Sequence, residues 1–567
     1  LLHIRQQTIF SIALALVSLN AQAANTPIEH LIVIVGENRT FDNLFATYQP
    51  KNGQHISNLL SKGIVQIDGS PGKNFALAAQ QQAVDNEVYN IQPRHAGPYA
   101  SLPQPNTAGA FGQAQYSPDP RFSPDLPNGP FQITHGAYYG AHTGDPAHRF
   151  FQMWQQIDGG KMDLFVWVGA TIGSGSSKGP NSGPPEKTAQ GGVAMGFYNM
   201  AQGDAPYLKY LADQYAISDN YHQPIMGGTG PNYFALVTGD VAYYNIDGKP
   251  ALPPGNQIEN PDPQTDSNNG YKNDSYSGGS YINCSDENQP GVASIAAYMK
   301  KLPYAVFNAG NCSPDTYYLV NNFEPGYYPS GDAAALGAEK YVLPPSTVPT
   351  IGESLASKNV SWKWYAGGRG NGKNSRNKEY CTICDPHTYS SHIMTTNLKN
   401  NLQDLSMFYR DVDSESTLPA VSFISPYDSI SGHPGYAMEP GFDQFVEHIV
   451  NKVRRNKKLW NKTAILITFD EGGGYYDSGY IQTVDFFGDG TRIPIIAVSP
   501  YAKKGFVDHT YYDHVSILKF IEKNWGLAPL SHRSRDNLPN PVHSEGNPYI
   551  PQNRPAIGDL MNLFKFR

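Results

Sequence analysis

Leu31-Ile32-Val33-Ile34-Val35-Gly36-Glu37-Asn38-Arg39-Thr40-Phe41-Asp42-Asn43 is the stretch from which the rest of the chain can be read. Its five apolar, mostly β-branched residues have no polar face, so they predict a strand buried on both sides, as strands of a parallel sheet are. The strand runs straight into a carboxylate and an amide, and in open α/β sheets reactive groups collect just beyond the carboxyl ends of strands. Three further runs read the same way: Ala420 to Ile424, Ala464 to Thr468 and Ile493 to Val498. Between the second and third, Phe442, Phe445, Val446, Ile449, Val450 and Val453 share one helical face, and Lys452, Arg454 and Arg455 stand near the helix end, where cations suit the dipole. Strand, helix, strand in this order implies a right-handed crossover. A last helix from Val515 to Asn524 is expected to cover the same sheet. The fold class predicted is α/β, a central mostly parallel sheet with helices on both faces.

The chain has 567 residues, and its 37 Tyr, 25 Phe and 6 Trp supply enough apolar area to exclude disorder. Its length points to one large elaborated domain, or a catalytic domain with a sizeable insertion, over residues 24–567. A formal charge of −8 offers no diffuse basic footprint for nucleic acid, and none is expected as a partner. Residues 1–23 read as an export signal: Arg5 precedes an apolar run from Ile9 to Leu19 that is too short to anchor in a bilayer, and Ala21-Gln22-Ala23 follows. No later stretch is apolar for long enough to span a membrane, so a secreted or periplasmic protein is expected. In an oxidising compartment the four cysteines read as disulfides, most simply Cys284 with Cys312 and Cys381 with Cys384. Residues 247–290, rich in Gly, Asn, Asp, Ser, Pro and Tyr, predict a long irregular insertion, either a substrate-facing lid or a variable loop without a task.

The third run ends in Phe469-Asp470-Glu471 and three glycines, Gly472 to Gly474. Carboxylate and amide oxygens converging from this strand end and from Glu37-Asn38 would make a hard-oxygen seat for a divalent cation. Singly, each pair is equally a helix or turn cap. Gly227-Gly228-Thr229-Gly230-Pro231-Asn232 exposes Thr229 at a helix start, a suitable anion seat, although an isolated Gly-Thr-Gly is also explained as a plain N-cap. His148, His433, His509 and His514 stand in loop-like contexts from which histidine binds metals or moves protons; a hydrogen-bonded structural role is the alternative for each.

In combination these motifs resemble the bacterial phosphoesterase family of phospholipases C and acid phosphatases. The resemblance rests on Glu37 to Asn43, Thr229-Gly230-Pro231-Asn232, Asp470-Glu471-Gly472-Gly473 and Tyr512-Asp513-His514, which occur in that order. Gly159-Gly160-Lys161-Met162-Asp163, Thr350 to Gly352 and the closing Asp559-Leu560 with Leu563-Phe564 extend it over nearly the whole chain. It implies an alkaline phosphatase-like fold and a divalent metal, zinc by preference, held by Glu37, Asn38, Asp470 and Glu471. It further implies Thr229 as nucleophile, Asn232 on the phosphoryl oxygens, and His148, His433 and His514 near the reacting group. The chain departs from many relatives at Gly432-His433-Pro434, where they have Glu-His-Pro, and at Gly472, where they have His.

The activity implied is metal-dependent phosphoester hydrolysis by two displacements, leaning to phospholipase C-type cleavage of phospholipid diesters at a membrane surface. An acid phosphatase on phosphomonoesters, with protonated histidines as extra cationic donors, is the alternative. A surface or glycan-binding protein with a structural metal site is the reading from another class. Sulfatase chemistry is disfavoured, because Cys312-Ser313-Pro314-Asp315 is followed by Thr316 where that signature needs arginine.

Overall fold

The computed structural model describes residues 22–105, 118–172, 191–273, 279–370 and 377–566. All but the last two residues of the expected leader lie outside the described residues. Eight strands form the central sheet: β1 His30–Gly36, β2 Ala216–Ser218, β3 Trp362–Ala366, β4 Leu402–Asp404, β5 Val421–Ser425, β6 Thr463–Phe469, β7 Ile495–Val498 and β8 Phe506–Asp508. Their order is β4-β3-β5-β1-β6-β7-β2-β8. β1 is central and parallel to both neighbours, with Leu31 opposite Val421 on one side and Ala464 on the other. Every residue of β1 is buried, as its unbroken apolar run requires.

One expectation is corrected. The run Ile493 to Val498 does form a strand, but β7 is antiparallel to both β6 and β2, while the other seven strands point one way. A continuous apolar run reports burial on two faces and carries no information on direction. Direction follows from the connection: the chain leaves β6 at Phe469, winds over the carboxyl edge and re-enters at Ile495, opposite Thr468, so it never crosses to the far edge. β2, β3, β4 and β8 hold Ser218, Lys363, Gln403 with Asp404, and Asp508 within three to five residues, which leaves no apolar run to declare them.

Helices cover both faces. Alternate β1 residues point opposite ways, and each set joins its own core. Ile32 and Ile34 pack with α1 (Pro206–Gln214), while Leu31, Val33 and Val35 pack with α2 (Thr229–Thr238) and α3 (Ile351–Ser357). α4 (Glu439–Arg455) joins the first face through Phe442, Phe445, Val446, Ile449, Val450 and Val453. α5 (Val515–Trp525) joins the second through Val515, Leu518, Ile521 and Trp525. Each large apolar side chain so buried contributes roughly 1.5–3 kcal/mol. α3 starts where the sequence dictates: Thr350 accepts from the Glu353 N–H and the Glu353 carboxylate accepts from the Thr350 N–H, a reciprocal cap.

Within residues 247–290 the described parts hold short strands and one 3-10 turn, Gly255–Gln257. Asn260–Pro263 pairs with Tyr271–Asn273, and Tyr281–Ile282 pairs with Tyr318–Leu319. The Cys284–Cys312 and Cys381–Cys384 disulfides are both present. No helix among the described residues is long and apolar enough to cross a membrane.

Candidate active site and metal centre

Because β1 and β6 are parallel neighbours in register to Gly36 and Phe469, Glu37-Asn38 and Asp470-Glu471 leave the sheet side by side. The two turns are tied together. The Asp470 N–H donates to the Gly36 carbonyl (2.9 Å) and the Arg39 N–H to the Glu471 carbonyl (3.0 Å). The Asn38 N–H donates to Asp470 Oδ1 at 3.0 Å. Asn38 adopts a left-handed backbone, φ 63°, which asparagine tolerates better than most residues and which turns its amide into the site. The glycines after Glu471 make room for this. At Gly473 (φ 62°) a Cβ would come within 2.6 Å of Asn38 Cβ, and at Gly474 within 2.0 Å of the Ala147 carbonyl oxygen. An imidazole at position 472 has no space either, since a Cβ there already lies 2.3 Å from Thr491 Oγ1 and 2.7 Å from Thr40 Cγ2.

His148 and His433 reach the same point from loops. Each donates its Nδ1–H to a backbone carbonyl, His148 to Pro146 (2.7 Å) and His433 to Pro434 (2.6 Å), which leaves the Nε2 lone pair facing inward. Asn38 Nδ2 lies 2.9 Å from His433 Nε2 and 3.4 Å from His148 Nε2, and Glu471 Oε1 is 3.8 Å from His148 Nε2. Asp145, three residues before His148, stands 3.5 Å from its Nδ1 and groups with the two histidines as a cluster able to hold a metal ion. The sequence contains this signal in Asp145-Pro146-Ala147-His148, yet only proximity to His433 makes Asp145 part of a site. Arg39, buried between Tyr198 and Tyr475, donates Nη2 to the Gly432 carbonyl and so fixes the loop that carries His433. Tyr436 stacks on His433 (4.3 Å) and directs its hydroxyl to Glu37 Oε2 at 3.4 Å.

Thr229 opens α2 with Gly228 as its cap residue, and its hydroxyl lies beside the Asp470 carboxyl, whose pKa it helps hold down. Two expected site residues are occupied elsewhere. Asn232 accepts from the Ile225 N–H and donates to the Ile225, Gly227 and Gly228 carbonyls at 3.0 to 3.1 Å, bracing the turn ahead of Thr229 instead of facing a phosphoryl group. His514 donates Nε2–H to the Asp470 carbonyl and accepts the Tyr221 hydroxyl at Nδ1, both at 2.7 Å, so neither nitrogen is available for proton transfer or ligation. It steadies the Asp470 backbone. His509 lies apart, paired with Asp219 at 2.7 Å.

The electrostatics fit a cation. Burial, with Asp470 and Asp428 nearby, lifts Glu37 well above the usual carboxylate range; burial lifts Asp470 to about 7; burial beside Asp470 lifts Glu471 well above. Burial depresses His148 to about 4, His433 to about 3 and His514 to about 4. Acids that resist ionising together and histidines that stay neutral form a donor set that a divalent cation satisfies. Buried Asn38 Oδ1, Asp470 Oδ2 and Glu471 Oε1 have no hydrogen bond of ordinary geometry, so three acceptor atoms remain for a cation to satisfy.

The chain is similar to a non-hemolytic phospholipase C of Burkholderia pseudomallei, 24% identical over 565 residues, 95% of this chain and 59% of that protein. It is also similar to a probable acid phosphatase of Kluyveromyces lactis, 28% identical over 232 residues, 38% of this chain and 52% of that one. It thus spans less than two thirds of the length of either relative. A solved alkaline phosphatase superfamily protein from Vibrio parahaemolyticus overlaps 58% of this chain and 63% of its own, with 10% identity and a TM-score of 0.27. That overlap adds nothing to the sheet order, on which the α/β assignment rests. The model of the Phosphoesterase family matches residues 28–528 and takes in every strand of the sheet, and the chain belongs to that family.

Proposed function

We propose that the protein is an exported, metal-dependent phosphoester hydrolase with Thr229 as nucleophile. The observation that carries this reading is the Thr229 hydroxyl beside Asp470, at a point where three buried carboxylates and two neutral histidines converge. Glu37, Asn38, Asp470 and Glu471 would hold the cation, zinc being the first to test, with His148, His433 and Asp145 alongside. When bound, the cation neutralises charge on the phosphoryl oxygens and lowers the pKa of the hydroxyl that faces it. Thr229 Oγ1 would lose its proton as it attacks phosphorus in line with the departing alcohol, which takes up a proton as it leaves, and water then hydrolyses the phosphothreonine to return Thr229 and phosphate. The α2 N-terminus favours the anionic phosphoryl group during both steps.

The reading leans to phospholipid diesters. A monoester brings one more anionic oxygen, and burial lowers the pKa of His148, His433 and His514, which disfavours their meeting it as cations. Similarity to phospholipases C over most of the chain supports the same side, and two disulfides suit an oxidising compartment outside the cytosol. The test is the ratio of kcat/KM for phosphatidylcholine and an aryl phosphate monoester, each with and without chelator. A ratio strongly favouring the monoester at an acid optimum would make this an acid phosphatase. Activity unaffected by complete metal removal would end the metal-dependent reading.

A further inference from the structure

The Cys381–Cys384 bridge lies against the candidate metal centre. Cys384 is buried and its Sγ stands 3.3 Å from Glu37 Oε1; a bridged sulfur carries no proton, so this is a packing contact and not a hydrogen bond. Cys381 is partly exposed. One ligand atom from each of Glu37, Cys381 and Cys384 falls within 4.8 Å of the others. The turn that carries the pair is anchored from behind, because Asp385 takes Arg369 Nε at 2.8 Å and the Tyr380 hydroxyl at 2.9 Å. It also touches the start of α2, where a Cβ at Gly230 would be 3.7 Å from Ile383 Cβ. Opening the bridge lets the two sulfurs move apart to non-bonded distance on an anchored turn, with Cys384 on the side of Glu37.

We infer that Cys381 and Cys384 are a second, redox-gated metal site: in the dithiol state they join Glu37 as a sulfur–oxygen seat for a soft divalent cation, and occupation of that seat draws Glu37 from the phosphoester centre. Soft cations prefer thiolate donors, and two thiolates from a Cys-x-x-Cys turn with one carboxylate match zinc or cadmium rather than magnesium or calcium. The chemistry balances. A dithiol reductant gives two electrons and two protons to the bridge and leaves as its own disulfide, producing two thiols; cation binding then releases both thiol protons. The partly exposed Cys381 sulfur is the accessible point of attack, and the mixed disulfide formed there frees Cys384 as the leaving thiol.

The inference rests on Glu37 serving the phosphoester centre only for its effect on activity. The probe is Cd2+ alone, added to the full chain after reduction with a phosphine and desalting, with the opened cysteines mapped by alkylation and mass spectrometry. The expected result is a sulfur-to-cadmium charge-transfer band with one equivalent bound, absent from oxidised protein and from the Cys381→Ser/Cys384→Ser variant, which keeps the Cys284–Cys312 pair. Hydrolysis by reduced wild type should fall about tenfold or more with Zn2+, the scale on which disturbed metal-site supports cost activity, and return on re-oxidation. The double variant should ignore reductant. A bridge that resists reduction in the folded protein, or mapped free thiols at 381 and 384 without the band, overturns the site. A band with hydrolysis unchanged overturns the link to Glu37, and a band in protein that never hydrolyses a phosphoester upholds the site while refuting the proposed function.

Discussion

Thr229 is buried at the start of a helix whose cap is Gly228, and its hydroxyl meets Asp470. Thr229→Ala is expected to abolish turnover, by on the order of 10³-fold or more, while the protein still folds, with an unfolding free energy lowered by about 1–3 kcal/mol for the lost hydroxyl contact. Thr229→Ser should keep part of the rate. A folded alanine variant that turns over at the wild-type rate removes Thr229 from the mechanism. Asp470→Asn keeps the shape but discards a charged oxygen, so bound divalent metal measured by elemental analysis should drop along with activity. Metal content equal to wild type would show that the ion sits elsewhere.

At the scale of elements, the sheet edge is built from pieces that each solve a local problem. α4 buries its apolar stripe against β1, and Ile449, fully buried in that stripe, is expected to cost about 2–5 kcal/mol when changed to alanine, read as a lower denaturant midpoint with the site intact. The turn ahead of α2 depends on Asn232, whose amide serves three carbonyls and one N–H. Asn232→Ala leaves buried carbonyls without donors and should lower stability by about 1–3 kcal/mol as well as slow catalysis. Lost catalysis at unchanged stability would instead restore Asn232 to the phosphoryl group.

For the whole molecule, the buried acids set how stability follows pH. A carboxyl whose folded pKa is raised holds its proton more tightly in the native state than in the unfolded chain, so its contribution is complete below the unfolded value and is lost as pH rises through the folded one. Asp470, at about 7, makes the cation-free protein lose stability as pH rises from 6.5 to 8, and the raised Glu37 and Glu471 act in the same direction. The histidines do not oppose this, because depressed values of about 3 to 4 mean that their contribution is complete above the unfolded pKa near 6.5 and is lost only as pH falls. Thermal melts of cation-free protein should show Tm falling over that window, and a saturating divalent cation should raise Tm more at pH 8 than at pH 6.5. A flat profile without cation would mean that the carboxylates are already compensated within the chain.

Local order in the chain was enough to specify the strands that are long and wholly apolar, the stripe of α4, and the polar residues that follow β1 and β6, because burial on one or both faces leaves its period in the sequence. The disulfide pairs are the simplest of the three pairings that four cysteines allow. What local order could not carry was anything set by neighbours distant along the chain. The reversal of β7 came from a connection that stays on one edge, and the short strands β2, β3, β4 and β8 exist because the sheet offers them partners. The roles of the side chains at the candidate site have the same origin. Asn232 and His514 lie among the right motifs but hydrogen-bond to backbone, whereas Asp145, Arg39 and Tyr436 enter because the loops at 145–148 and 432–436 close over Asn38 and Glu37. Residue type determines which chemistry is available; only the tertiary structure decides which atoms are already spent on holding the backbone.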